Sequence, residues 1–540
     1  MRAAIELTRF PWIRPLVTAY GQDFPSVATL YAGDPADPAA WRETIARVQR
    51  APRERAALAA ILDRQLASRD APPEARASAA RLDDADTVAI VTGQQAGAFG
   101  GPLYTLLKAV TAVQLARRIT DEYGVAAVPV FWVDSEDHDW DEVKTARVLD
   151  HAFELRDVSL PDADGAGTHP VATLRLDARV GDAVAALGAH LPPTEFTAEV
   201  LSALRRCYRP GMTVSGAFAG WIDHLLGRHG LVVFDAADPA AKPLVTPLFT
   251  QELDQPCRTA KLATEAGEAM AALGHQPQVT PSEDAVALFY LDASGRHAIR
   301  KQDGRYLVGD RSRTAEEMRE EAAAHPERFS PNVLLRPLVQ DRLFPTVCYV
   351  AGPSELAYQG QLRGIYREFG VEFPMLYSRA TATLLDSGAL RFLERYDVPF
   401  EALHAQDESA LNRLLERQLP PTVEQALEDT DQRMAERARA MKDAVVTIDP
   451  TLGGAVDTTL ERMRDTLKTL HAKIIQATKR KDETLRRQFT RTRTLAFPSG
   501  HPQERVLSVT FFVNRYGAAL CDALLDGLPL DTDKHYILRL

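Results

Sequence analysis

The sequence predicts an α/β protein built on an open parallel sheet, with an antiparallel helical hairpin near its C-terminal end. Two observations predict this fold class. A strand, a glycine-rich loop, a helix and a second strand follow one another between residues 87 and 133. Later in the chain, apolar residues recur at alternating spacings of three and four from Leu460 to Ala477, which is the seam of a coiled coil.

The sheet is predicted from two short runs that are apolar at nearly every position. These are TVAIV (87–91) and AAVPVFWV (126–133), and Pro102 to Thr120 between them has helical spacing. Strands have apolar residues at nearly every position when helices cover both faces of a parallel sheet. A strand, a helix and a strand in such close succession indicate a right-handed crossover unit.

Further segments extend this core. We expect a helix at 218–229 and strands at 231–238, 286–292, 334–340 and 346–352. The core is predicted to span 1–395, to begin with a helical and irregular segment up to residue 85, and to carry insertions at about 160–215 and 240–330.

The helical hairpin is predicted at 396–495, where helix formers dominate and breaks occur only at 419–421 and 448–454. One arm carries the seam Leu460, Met463, Leu467, Leu470, Ile474 and Ala477, and the other carries Val423, Leu427, Met434, Met441, Val445 and Ile448, with Thr430 and Arg437 at seam positions. Each arm would be about 40–50 Å long at 1.5 Å per residue. Such a hairpin is too thin to bury both faces, so we expect a homodimer formed through it. Residues 496–540 would return to the core, with a strand at VLSVTFFVN (506–514) and a helix at GAALCDALLDGL (517–528).

Composition bounds the class of protein. A chain of 540 residues, 45% hydrophobic and 25% charged, predicts two to four globular units. Its four cysteines lie far apart without a CxxC motif, which suggests neither a disulfide framework nor a zinc site. A net charge of −11 argues against a nucleic-acid partner, and the basic run at 479–493 is read more simply as a solvated helix face. No apolar run approaches the ~18–20 residues of a membrane span and no signal-peptide pattern is present, so we expect a cytoplasmic protein with no membrane partner.

The loop VTGQQAGAFGGPLYT (91–105) is the first candidate site. Gly93, Gly97, Gly100 and Gly101 lack Cβ atoms where the chain leaves a strand, so backbone N–H groups can approach an anion. Lys108 lies about two turns into the following helix. The pattern is neither a Walker A loop nor GxGxxG, and the alternative is a tight helix–sheet junction.

The second candidate site is SEDHDWDE (135–142), directly after the second strand. Its five acidic side chains and one histidine stand at the carboxyl end of a parallel strand, where open α/β sheets bind ligands. His138 can act as a base or contact phosphate, and Glu136, Asp137 and Asp139 can hold Mg²⁺ or a substrate amine. The alternative is a solvated acidic loop at a helix N-terminus.

The third candidate site lies between Asn332 and Val371. Arg336 stands in an apolar run, so its guanidinium requires an anionic ligand or a carboxylate partner such as Asp341. GPSELAY (352–358) repeats the arrangement of a strand, a Gly-Pro pair and a helix, with Glu355 in the first helical turn.

Together these segments resemble one family. TGQQAGAFGGPLYT, VPVFWVDSEDHDWDEV and LRPLVQDRLFPTVCYVAGPSELAY, in this order and followed by PSGHPQERV (498–506), are similar to the BshC family, the cysteine-adding ligases of bacillithiol biosynthesis. The resemblance implies a Rossmann-like core of the nucleotidyltransferase (HUP) type with connecting-peptide insertions and a dimerising coiled coil. Two positions depart from the family pattern, since Ser354 replaces a usual glycine and Gln359 a usual tryptophan. The HIGH and KMSKS motifs of the related class I aminoacyl-tRNA synthetases are absent.

The resemblance also implies a reaction and a set of site residues. L-cysteine would be joined through its carboxyl group to the amine of glucosaminyl-malate, with ATP as co-substrate, Mg²⁺ as its companion and a cysteinyl adenylate as intermediate. The candidate catalytic residues are His138, Asp137, Glu136, Asp139 and Lys108. The candidate substrate- or nucleotide-binding residues are Thr92, Gly93, Gln94, Gln95, Gly100, Gly101, Tyr104, Trp132, Arg336, Gln340, Gly352, Glu355 and Tyr358. Two alternatives stay open: a nucleotidyltransferase acting on another small carboxylic acid, and a non-catalytic nucleotide-binding coiled-coil protein.

Overall fold

The computed structural model describes residues 2–417, 421–481 and 483–539. These residues form two compact units. The first runs up to Leu384 and includes Gln503–Leu538, and the second is Leu385–Pro502. Within the described ranges, no helix combines the length and the apolar character that crossing a bilayer requires.

The strands are β1 Arg2–Glu6, β2 Val88–Gln95, β3 Ala127–Asp134, β4 Thr145–Leu149, β5 Leu155–Ser159, β6 Val232–Asp235, β7 Ala285–Asp292, β8 Gly295–Gln302, β9 Arg305–Val308, β10 Arg311–Arg313, β11 Phe329–Pro331, β12 Thr346–Ala351, β13 Met375–Ser378, β14 Thr381–Leu385 and β15 Lys534–Arg539. The α-helices are α1 Pro15–Gln22, α2 Pro38–Arg50, α3 Arg55–Ser68, α4 Pro73–Arg81, α5 Leu103–Tyr123, α6 Trp140–Val143, α7 Val180–His190, α8 Thr197–Cys207, α9 Val214–Leu226, α10 Lys242–Asp254, α11 Arg258–Ala272, α12 Ala315–Ala324, α13 Arg336–Leu343, α14 Pro353–Gln359, α15 Arg363–Phe369, α16 Ser387–Tyr396, α17 Ser409–Glu416, α18 Pro421–Val446, α19 Leu452–Lys481, α20 Glu483–Ala496, α21 Gln503–Val506, α22 Val509–Tyr516 and α23 Ala519–Gly527.

A five-stranded parallel sheet forms the centre of the first unit. Its strand order is β13-β12-β2-β3-β6, and every neighbouring pair is parallel. β2, β3 and β12 are buried along almost their whole length, which is why their sequences are apolar rather than alternating. The predicted crossover through α5 and the Rossmann-like, parallel-sheet fold class are confirmed.

Helices α2 and α5 close one side of this sheet. Trp41, Ile45 and Val48 of α2 share a buried cluster with Leu115 and Ile119 of α5 and with residues of β2, β12 and β13. Each large apolar side chain buried in this way contributes about 1.5–3 kcal/mol. The packing holds the carboxyl ends of β2, β3 and β12 in fixed positions.

A second sheet, fully antiparallel, has the order β10-β9-β8-β7-β11. The strand predicted at 286–292 exists as β7, but it belongs to this sheet and not to the parallel one. A third sheet, β1-β15-β14, joins the two ends of the first unit. β1 lies in a segment that the sequence predicted to be helical and irregular.

Two strand predictions are wrong. Residues 334–340 were predicted as a strand, but α13 begins at Arg336, because Pro337 lacks an N–H group and suits the first turn of a helix. VLSVTFFVN was also predicted as a strand, but it forms α22, whose first turn is capped by the Ser508 hydroxyl. A short, continuous apolar run does not distinguish a buried strand from a buried helix.

The second unit contains the predicted antiparallel hairpin. α18 has 26 residues and α19 has 30, which confirms the predicted arms. Ion pairs join them at Lys442–Asp457 and Asp431–Arg464, and His471 lies 3.3 Å from Glu424, so the arms run in opposite directions. Leu419 and Pro420 of the predicted break lie outside the described residues, as do Asp482 and the side chains of 479–481 in the basic run.

Candidate functional site

A cavity of about 660 Å³ opens at the carboxyl ends of β2, β3 and β12. Every residue that lines it belongs to the first unit. The predicted site residues that line it are Gly93, Gln94, Gln95, Tyr104, Lys108, Asp137, Arg336, Gly352, Glu355 and Tyr358. The structure therefore brings residues of all three candidate segments together at one site, at the sheet edge where parallel α/β proteins bind ligands.

The glycine turn is not an anion cradle. The N–H groups of Gly97, Gly100 and Gly101 donate to Gln95, Gly97 and Ala98 within the turn, and Leu103 at the start of α5 donates to Leu507. Gly100 has a φ of +96°, and a Cβ there would lie 2.9 Å from the Trp221 ring. Gly100 and Gly101 therefore pack against other elements of the unit, and this part of the loop is a tight helix–sheet junction.

Lys108 is buried beneath the cavity, with 2% of its side chain exposed. Its ammonium contacts the Glu355 carboxylate and donates to the Gly93 carbonyl at 2.6 Å and the Gln94 side chain at 3.1 Å. Glu355 also accepts from the Tyr349 hydroxyl and the Gly352 N–H, both at 2.7 Å. Burial opposes ionisation of Glu355, but the Lys108 ammonium and these donors hold its pKa below the ordinary value. With three acceptors for three N–H groups, Lys108 positions β2 and α14 rather than reaching a ligand.

Asp137 and His138 meet an arginine from the antiparallel sheet. Arg296 of β8 approaches Asp137 Oδ1 at 3.5 Å and His138 Nδ1 at 3.3 Å, with its guanidinium 3.7 Å from the Phe289 ring centroid. Asp137 also accepts from Gln95 Nε2 at 2.8 Å. Burial alone would raise the pKa of Asp137, but the Gln95 hydrogen bond and the Arg296 charge hold it below the ordinary value. His138 does not line the cavity, although its neighbour Asp137 does, and 38% of its side chain is exposed.

Glu136 and Asp139 lie outside the cavity. Glu136 is buried in an ion pair with Lys242 of α10, and burial raises its pKa. Asp139 caps α6 by accepting from the Glu142 N–H at 3.1 Å. The predicted Mg²⁺ ligands Glu136, Asp137 and Asp139 thus have three separate environments, and the described part of the chain contains no group of three metal-ligating side chains. These residues do not fit a Mg²⁺ site.

Arg336 reaches the cavity from the first turn of α13. It donates to the Tyr358 hydroxyl at 2.9 Å and lies near Gln340 Oε1 at 3.4 Å. Its nearest carboxylate is Asp134 at the end of β3, 3.8 Å from Nε. Asp341, which the sequence suggested as the carboxylate partner of Arg336, instead accepts hydrogen bonds from Gln340 at 2.9 Å and from Tyr366.

The remaining predicted residues are structural. Thr92 is buried and donates to the Val350 carbonyl at 3.0 Å, linking β2 to β12. Trp132 is buried in β3 against Phe234 and Phe344. Neither lines the cavity, and neither do Gly100, Gly101 and Gln340.

Two family descriptions match this chain. "Bacillithiol biosynthesis BshC, N-terminal Rossmann-like domain" matches residues 3–380, and "Bacillithiol biosynthesis BshC, C-terminal coiled-coil domain" matches residues 382–540. The chain belongs to the BshC family. Of the two positions that depart from the pattern expected for BshC proteins, Ser354 lines the cavity and Gln359 is buried outside it.

Several relatives in the BshC family carry the name "Putative cysteine ligase BshC". The protein of Salinibacter ruber is 33% identical over 97% of this chain and 95% of its own length. That of Koribacter versatilis is 34% identical over 87% of each chain. That of Chlorobaculum tepidum is 32% identical over 90% of this chain and 89% of its own length.

Five charged cavity residues are not among the predicted site residues. They are Asp134, Glu142, Arg296, Arg379 and Arg505. Arg379 makes a buried bidentate ion pair with Glu504 at 2.7 and 3.0 Å, and its guanidinium lies 5.6 Å from the Tyr104 ring centroid. Asp134 stood one residue before the acidic motif. Arg505 belongs to the PSGHPQERV motif, but that motif did not indicate a contact with the site, and Arg296 and Arg379 reach the cavity only through the tertiary fold.

Proposed function

We propose that this BshC-family chain is a ligase that joins the carboxyl group of L-cysteine to the amine of glucosaminyl-malate, the last step of bacillithiol biosynthesis. Two observations support the proposal: the names of the relatives and a cavity lined by five basic and four acidic side chains. The cavity is the observation that carries it, because its mixed charge suits substrates that bear carboxylates and an amino group together.

The reaction requires activation of the carboxylate, whose oxygen is a poor leaving group. In the proposed route a carboxylate oxygen of cysteine attacks the α-phosphorus of ATP and releases pyrophosphate. The amine nitrogen of the acceptor then attacks the carbonyl carbon of the adenylate, releasing AMP and a proton. In the proposed route no protein side chain binds Mg²⁺. The three carboxylates predicted to do so, Glu136, Asp137 and Asp139, have other partners within the fold.

Anionic groups of the substrates would bind the cavity's arginines. Arg505 is exposed at the cavity and makes no ion pair with a described carboxylate. Arg296 and Arg336 are largely buried, so their charges act where water screens them less. Fixed cations around developing negative charge are often the largest catalytic contribution, and one well-placed donor is typically worth about 10²–10³ in rate.

His138 is the proposed proton acceptor or pyrophosphate contact. Its Nδ1 lies 3.3 Å from Arg296 and 3.5 Å from Asp137 Oδ1, so both charged side chains orient the ring. We expect His138→Ala to lower kcat by at least tenfold. Turnover within about threefold of wild type would remove His138 from the mechanism.

A second copy of the chain is the proposed partner of the hairpin. Its two arms leave an apolar groove whose side chains include Met441, 59% exposed, and Met463, 48% exposed. Light scattering should give twice the chain mass for wild type and for Thr469→Glu, which places a glutamate on the same arm outside the groove. Met441→Glu with Met463→Glu should give monomers, and an unchanged mass would contradict this mode of association.

We also propose a cytoplasmic location.

The decisive assay incubates the purified protein with cysteine, glucosaminyl-malate, ATP and Mg²⁺, and follows products by mass spectrometry. The proposal expects the condensed thiol together with AMP and pyrophosphate. Arg296→Gln should lower the rate at least tenfold, whereas Arg300→Gln, an exposed position on the same strand, should not. AMP release without loss of free cysteine would indicate a nucleotidyltransferase acting on another acid.

A further inference from the structure

The cavity's charged side chains differ in how far the protein itself satisfies them. Lys108 and Glu355 each have three hydrogen-bonding partners. Arg379 is held by Glu504, and Asp137 by Gln95 and Arg296. These groups are committed to the fold, so a ligand gains little from them.

Asp134 is the exception among the acidic residues near the sheet edge. It is the last residue of β3, and 32% of its side chain is exposed at the cavity. Across the described ranges, no donor lies within hydrogen-bonding distance of its carboxylate. The Arg336 contact at 3.8 Å is an ionic attraction without a hydrogen bond, and Arg336 directs other N–H groups to Tyr358 and Gln340.

Burying a carboxylate without hydrogen-bond donors costs free energy, and a bound cation with N–H groups offsets this cost. Burial accordingly raises the pKa of Asp134, although Arg336 opposes the rise. A metal ion is a poor match, since the described residues place no further metal-ligating pair beside Asp134. A primary ammonium needs only one carboxylate and brings three donors of its own.

We propose that Asp134 forms a subsite for a primary amino group of the substrate. The two sources of this chemistry are the α-ammonium of the amino acid and the amine of the amino sugar. The inference rests on the proposed function for the identity of those two ligands. Elsewhere the cavity's basic side chains would repel an ammonium, so the subsite fixes the orientation of the whole ligand.

The test uses ligand pairs that differ only at the amino group. L-cysteine is compared with 3-mercaptopropionate, and glucosaminyl-malate with the corresponding glucosyl-malate, by calorimetric titration of the full-length protein. Wild type should prefer the amino ligand in one pair by about 10- to 100-fold, the range expected for a charge-assisted hydrogen bond. The pair that shows the preference identifies which amino group Asp134 binds.

Variants then locate the effect. Asp134→Asn should reduce that preference to within about threefold, and Asp134→Glu should retain part of it because the charge remains. Asp141→Asn, at a position 85% exposed and paired with Lys144, is the matched control and should bind as wild type does. An undiminished preference in Asp134→Asn would overturn the subsite even if the protein is a ligase. Equal wild-type affinities within both pairs would overturn it without any variant, whereas a clear preference without condensed product would count against the proposed function alone.

Discussion

Replacing Lys108 with methionine separates a structural lysine from a catalytic one. Methionine keeps a long unbranched side chain in a site that is 2% exposed, and it removes the ammonium that contacts Glu355, Gly93 and Gln94. Glu355 would keep its hydrogen bonds from Tyr349 and Gly352 but lose its compensating charge.

The size of the effect follows from that uncompensated charge. Removing one partner of a buried ion pair costs about 3–5 kcal/mol in the free energy of unfolding. Glu355→Gln in the same chain removes the remaining charge, so the double variant should be less destabilised than the two single changes added together. Neighbouring groups of this kind couple by about 0.5–3 kcal/mol.

The assay is urea unfolding followed by circular dichroism, with kcat and KM measured under native conditions. Lys261→Met is the control, because Lys261 lies on α11 with 67% of its side chain exposed, and its change should stay within about 0.5 kcal/mol. The reasoning would be refuted if Lys108→Met unfolded within 1 kcal/mol of wild type while kcat fell a hundredfold. That result would make Lys108 a catalytic residue.

Three further outcomes follow from buried groups. Arg379→Gln should destabilise the first unit by about 3–5 kcal/mol in urea unfolding, because Glu504, only 7% exposed, loses its bidentate partner; a loss below 1 kcal/mol would contradict this. Gly100→Ala should lower the melting temperature, because φ is +96° and the new Cβ would meet the Trp221 ring, whereas Gly181→Ala, with open space around it, should be the neutral comparison. Burial raises the pKa of Glu252 from 4.5 to about 7, so the folded state holds a proton more tightly than the unfolded chain, and the contribution of Glu252 to stability should fall by about 3 kcal/mol between pH 4.5 and 7 and then level off. Glu252→Gln should remove this fall in unfolding measurements at pH 5 and pH 8, and an identical pH dependence in the variant would show that another group is responsible.

The core crossover and the hairpin were predictable because their signals are local. β2, α5 and β3 follow one another with uninterrupted apolar strands, and the α19 seam repeats over several turns. The sequence could not predict whether residues 334–340 and 506–514 form a strand or a helix. Short apolar runs are compatible with both, and burial in the tertiary fold decides between them.

The location of the site was predictable from the sequence, but the hydrogen-bond and ion-pair partners of its side chains were not. Parallel strands end at one edge of the sheet, so the residues after β2, β3 and β12 were expected to meet. Which carboxylate lacks a donor depends on contacts far apart in the chain, such as Lys242 with Glu136 and Glu504 with Arg379. The glycines of the 91–105 loop predicted an anion site, but the N–H groups of Gly97, Gly100 and Gly101 donate to carbonyls of the same turn.

The most direct test of the central claim is a crystal structure of the protein soaked with L-cysteine and glucosaminyl-malate. We expect both ligands in the cavity beside Gln95 and Arg336, with an amino group within hydrogen-bonding distance of Asp134. Ligands bound at another surface, with the cavity containing neither, would contradict the assignment of the chemistry to this edge of the sheet.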